Sequence, residues 1–144
     1  MVAYIRQKVG EGIYYSYADS AVEMSRLDGV LLSAGNLAAG VEVKWRRFDW
    51  DNLVGYHKGE MLMPSDKLLA GQAFAYAFGV RTVLLYLLTD CLVAQTVVAG
   101  NGDKKNVVRE VYEQSKKSVE NNWRIQRKNC YISIEGAEKI PLGL

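Results

Sequence analysis

Asp28, Glu42 and Lys44 are the residues in this chain whose types and spacing could do chemistry. Glu42 and Lys44 are two positions apart in Val41-Glu42-Val43-Lys44-Trp45-Arg46, so on a strand both side chains point to the same face. Asp28 stands near the start of a second strand-like run, Ser25-Arg26-Leu27-Asp28-Gly29-Val30-Leu31-Leu32. The segment between, residues 33–40, carries Gly35, Asn36 and Gly40 and reads as a loop that folds the two strands into an antiparallel hairpin. Such a hairpin brings Asp28 to Glu42 and Lys44. Two carboxylates and an ammonium on one sheet face are a costly core, because charges are seldom buried without partners. They are a suitable seat for a cation. A divalent ion held by Asp28, Glu42 and the Val43 carbonyl, with water sites left open, suits phosphodiester hydrolysis: it neutralises the phosphate, while Lys44 orients water or stabilises developing charge.

The elements that must position these groups read as one α/β domain spanning residues 1–144. The chain is 49% hydrophobic and 24% charged, as soluble globular domains are, and long enough to bury a core without staples. Ile13 to Tyr17 favours a strand. Residues 48–64 read as a long connection holding the only histidine, His57. Ser65 or Asp66 caps a helix that runs to Gly79, with Leu68, Leu69, Ala73 and Tyr76 as its apolar stripe and small residues for close approach to a sheet. Thr82 to Thr89 reads as a central strand covered on both faces, and Leu92 to Val98 as a further strand closed by a turn at 100–103. Residues 104–128 read as a helix striped by Val108, Val111, Tyr112, Ser115, Val119 and Trp123, and Cys130 to Ile134 as a last strand.

The formal charge of +2 makes no case for nucleic acid, but its distribution does. Residues 104–128 hold eight Lys or Arg against three Glu, leaving the remainder at −3. Lys116, Lys117, Arg124 and Lys128 are candidates to track phosphates, with a solvated face as the plainer reading. Trp45, Trp50 and Tyr56 are candidates to stack on bases, or else hairpin packing. Cys91 and Cys130 have no metal-type spacing and suggest buried thiols in a reducing compartment, although a bridge between them is compatible with the sequence. The amino terminus has no signal-type apolar run and the longest apolar stretch is broken by Asp90, so the reading is cytoplasmic, with no membrane partner.

The Asp28 and Glu42-Val43-Lys44 set resembles the PD-(D/E)xK nuclease superfamily. Ser25-Arg26-Leu27-Asp28-Gly29 is similar to the Ser-Pro-Asp-Gly motif of the lambda-exonuclease (YqaJ-type) branch without its proline, and Gln72-Ala73-Phe74-Ala75-Tyr76 matches the Gln-x-x-x-Tyr helix of RecB-like nucleases. The resemblance covers residues 25–89. It implies a restriction-endonuclease-like mixed central β-sheet flanked by helices. It also implies an Mg²⁺- or Mn²⁺-dependent deoxyribonuclease of recombination, repair or viral DNA processing. Asp28 and Glu42 would be metal ligands, Lys44 the catalytic lysine, and Gln72 and Tyr76 contacts to DNA. The acidic ligand such enzymes add from an N-terminal helix is open, with Glu23 and Glu11 as candidates. His57 follows Asp28 rather than preceding it, so the RecB-type histidine role does not transfer. Two alternatives stand beside this: a Holliday-junction resolvase-like endonuclease acting as a homo-oligomer, and a non-catalytic nucleic-acid-binding module on the same fold.

Overall fold

The structure, a computed structural model, describes residues 13–17, 27–120 and 123–142. It is a mixed α/β arrangement dominated by two sheets. The larger has six strands in the order β1 (Ile13–Tyr17), β2 (Gly29–Ser33), β3 (Asn36–Trp45), β5 (Arg81–Leu87), β6 (Cys91–Val98) and β9 (Glu138–Pro141). All its pairings are antiparallel except β3 with β5. Between these two the chain makes a short helix α1 (Trp50–Val54), a strand β4 (Glu60–Pro64) and the helix α2 (Ser65–Phe78). The smaller sheet has the order β4, β8 (Trp123–Ser133), β7 (Val107–Glu120).

The hairpin expected around residues 33–40 is tighter than its sequence suggests. Ser33 pairs with Asn36, and the turn is Ala34-Gly35 alone, with φ of 49° and 79°. Positive φ at both positions matches the right-handed strand twist, and glycine takes it without strain. Residues 37–40 therefore belong to β3. Strand alternation then divides β3 into two faces: Ala39, Val41 and Val43 pack with Leu31, Val83, Leu85, Leu92 and Ile140, while Gly40, Glu42 and Lys44 point the other way, toward α2.

Helix α2 runs over the expected residues and ends at Gly79, whose φ of 67° lets its N–H reach the Ala75 carbonyl at 2.7 Å. Its start and its buried face differ from expectation. Pro64 is the N-cap and no side chain closes the first turn. Leu68, Gly71 and Ala75 face the core, whereas Leu69 and Tyr76 are exposed. The small residues decide this: a Cβ on Gly71 would stand 3.0 Å from Thr82 Oγ1, so the helix lies against β5 on its glycine. Leu68 and Ala75 join Leu84, Tyr86, Val93 and Val97 of the large sheet and Met61, Met63, Cys130 and Ile132 of the small one in the main core.

The helix expected over residues 104–128 is not formed. Those residues build the hairpin β7–β8, paired from Val107 with Ile132 to Glu120 with Trp123. Val108, Val111 and Val119 match a helical stripe, but β-branched residues also fit strands, and here the core decides. Cys130 and Ile132 on β8 alternate inward onto Met61 and Met63, while Tyr131 turns outward beneath Arg109. The expected strand at 130–134 is the end of β8. The expected connection at 48–64 contains α1, capped by Asp49 Oδ1 accepting from the Asn52 N–H at 2.9 Å, and β4, whose Met61 and Met63 are fully buried. Cys91 and Cys130 are separate buried thiols. No helix among the described residues is long and apolar enough to cross a membrane.

Candidate active site

Asp28 lies where β2 begins, one position before the Gly29–Val41 pair, and so opposite Glu42. Its backbone N–H donates to the Val41 carbonyl at 3.0 Å, and its Oδ2 accepts from the Val43 N–H at 2.7 Å. In an antiparallel ladder the N–H and C=O of one residue point the same way, so the Val43 carbonyl faces the Asp28 side of β3 as well. Lys44 Nζ stands 3.3 Å from Glu42 Oε1. The structure thus brings together Asp28, Glu42, Val43 and Lys44.

Glu42 is the unusual member. It is only 1% exposed, and its Oε2 is buried without a hydrogen-bond partner among the described residues. Burial raises its pKa to about 7, the negative charge of Asp28 adds to the rise, and the cations Lys44 and Lys67 offset only part of it. Lys67 was not singled out by the sequence. It sits in the first turn of α2, and only the docking of that helix on β3 brings its charge to Glu42. Arg46 is a second such residue: it extends the alternating row Glu42, Lys44, and its Nε donates to the Tyr86 hydroxyl at 2.9 Å. The i, i+2 spacing of Glu42, Lys44 and Arg46 was the available signal.

The other expected site residues are placed elsewhere or lie outside what is described. Gln72 Nε2 donates to the Gly102 carbonyl at 2.9 Å, and the Tyr76 ring packs against Gly102. Five and nine positions from Lys67 at about 100° each, both lie on the far side of α2 from the Glu42 carboxylate. They fasten the 100–103 turn and are not brought to the carboxylates. Glu11 and Glu23 lie outside the described residues. Lys116 and Lys117 fall on β7 and Arg124 on β8, but their side chains lie outside the described residues too. Lys128 is exposed and stands 3.7 Å from Glu110. His57 stacks on Phe48 with ring centroids 4.3 Å apart, an ordinary packing role. Trp45, which alternates to the face of β3 opposite Lys44, is 57% exposed, while Trp50 packs under Lys139 and Tyr56 meets His57 edge-on.

Comparison with protein-family models, curated proteins and solved structures finds no match. The chemistry of the site therefore stands on its donors. A carboxylate oxygen shut away from water with no donor is expensive, and a divalent cation would supply what it lacks. Asp28, Glu42 and the Val43 carbonyl are the hard oxygen donors at hand, which suit Mg²⁺ or Mn²⁺ in a site that keeps several waters. Among the described residues no group of three or more His, Cys, Asp or Glu converges.

Proposed function

We propose that this chain is a divalent-metal-dependent DNA nuclease of the PD-(D/E)xK type on a restriction-endonuclease-like fold. The observation that carries the reading is the buried Oε2 of Glu42, without a hydrogen-bond partner among the described residues and near a carboxylate and an ammonium. The mixed sheet supports it, because the Asp28–Glu42 hairpin leads through α2 to a buried strand parallel to β3. Asp28, Glu42 and the Val43 carbonyl would hold Mg²⁺ or Mn²⁺. A bound ion would neutralise phosphate charge and make water more acidic. Lys44, 23% exposed and tethered at one end to Glu42, can donate to an attacking water or to a phosphate oxygen. Arg46, two residues further on the same face, adds positive charge where a phosphodiester would lie.

The test is cleavage of linear, circular and four-way-junction DNA by wild type and Lys44→Ala, with Mg²⁺, Mn²⁺ or EDTA. Wild type is expected to cleave with either metal and not with EDTA, and Lys44→Ala to lose at least about a hundredfold in rate while still binding DNA. Selective cutting of the junction would favour the resolvase alternative. DNA binding without metal-dependent cleavage of any substrate would overturn the nuclease reading. It would leave the non-catalytic module.

A further inference from the structure

The β7–β8 hairpin is longer than the sheet it belongs to. Strand β4 ends at Pro64, paired with Asn129, whereas β8 has already run from Trp123 to Lys128 by then, with β7 alone as its partner. Six residues at about 3.3 Å each make a two-stranded arm of about 20 Å. Its direction is fixed at Pro64. That residue is the N-cap of α2, and Lys67 in the first turn of α2 is the cation that reaches the Glu42 carboxylate. The arm therefore leaves the body at the end of α2 that flanks the candidate active site. A cleft of about 450 Å³ opens at its root, between Pro64, Ser65, Asp66 and Leu69 on one side and Arg127 and Lys128 on the other.

The arm also concentrates the positive charge. Residues 112–128 hold Lys116, Lys117, Arg124, Arg127 and Lys128 against Glu113 and Glu120, a net +3, which leaves the rest of the chain at −1. On the inward-alternating side, Cys130 is core, but Lys128 and its cross-strand partner Tyr112 are exposed, with Tyr112 73% open to solvent. The arm thus continues a core-facing surface past the point where there is a core to face.

We infer that the β7–β8 arm is a duplex-DNA-binding ribbon that seats the substrate against the candidate active site, making double-stranded DNA the preferred substrate class. A two-stranded β-ribbon has the width of the major groove, and the net positive charge of this one complements the phosphates that line it. This inference rests on the nuclease reading only for what happens once DNA is seated; binding by the arm needs no catalysis.

The test is therefore made in EDTA, on the full chain carrying Lys44→Ala, with a fluorescent 30-base-pair duplex and the matching single strand at several salt concentrations. One variant joins Gln114 to Gln126, which face each other across the hairpin, through an Asn-Gly turn. A second keeps the arm and carries Lys116→Gln, Lys117→Gln and Arg124→Gln, in case the shortened hairpin does not fold. Both are expected to bind duplex 10- to 100-fold more weakly. The log–log salt slope of the second should flatten by up to about 2.7, with single-strand binding less affected. Duplex affinity within twofold of the parent in a folded variant would overturn the proposal. So would equal losses on single strand and duplex, or a change of oligomeric state in place of a change in DNA binding. Arm-dependent binding by a wild type that never cleaves would sink the nuclease reading alone, and metal-dependent cleavage with arm-independent binding would sink this one alone.

Discussion

Glu42 carries a free-energy cost that its neighbours do not remove. Its pKa is raised to about 7 by burial first and Asp28 second. The folded state therefore holds a proton that the unfolded state has released between about pH 4.5 and 7. Stability from this group is complete at low pH and is lost as pH rises through about 7, a difference of about 3 kcal/mol. Glu42→Gln, which mimics the protonated form, should melt higher than wild type at pH 8 and equal to it near pH 4.5. Equal melting at both values would show that the carboxylate is solvated. The two thiols follow the same logic. Burial, with Asp90 beside Cys91 and Glu110 near Cys130, pushes both up to about 11. Iodoacetamide at pH 8 should leave both unmodified in the native protein and label both once it is unfolded. A disulfide between them would instead show as no labelling of the unfolded chain without reductant.

At the scale of elements, the site depends on how closely α2 lies on β3. Gly40, two positions before Glu42 on the same face, sits under Phe74: a Cβ there would come within 2.8 Å of Leu27 Cδ1 and 3.0 Å of Phe74 Cδ1. Gly40→Ala should cost about 1–3 kcal/mol by denaturant melting, because the Phe74 ring and the end of Leu27 must shift to admit the methyl group. The hairpin β7–β8 teaches the opposite lesson about local pattern. Its valines fit two periodicities, and Met61 and Met63, distant in sequence, supply the surface that selects the strand. Gln72 and Tyr76 sit on the expected helix, yet their partner is the glycine turn at 100–103.

For the molecule as a whole, metal binding should be linked to folding. At pH 8, Mg²⁺ or Mn²⁺ at 10–100 times its Kd should raise stability by about 1.4–2.7 kcal/mol, seen as a higher melting temperature. The gain should shrink at pH 5.5, where Glu42 is protonated and must lose its proton to bind, and vanish in Glu42→Gln. A shift of equal size in Glu42→Gln would place the ion elsewhere. The charge of the molecule is unevenly placed: a nearly neutral body holds the carboxylates, and the cationic β7–β8 arm leaves it at Pro64, the N-cap of α2.

The hairpin that carries Asp28 and Glu42, the helix ending at Gly79 and the buried strand after it could all be read from local sequence. Each rests on local rules: side-chain alternation, a left-handed glycine, and an unbroken apolar run. Local rules also placed Glu42 and Lys44 on one face. Only the tertiary structure decided that Lys67 would stand near them, that Gln72 and Tyr76 would turn away, and that residues 107–133 would be strands. Those outcomes depend on which surfaces meet. A helical stripe and a strand face of similar hydrophobicity are separated only by the distant residues that cover them.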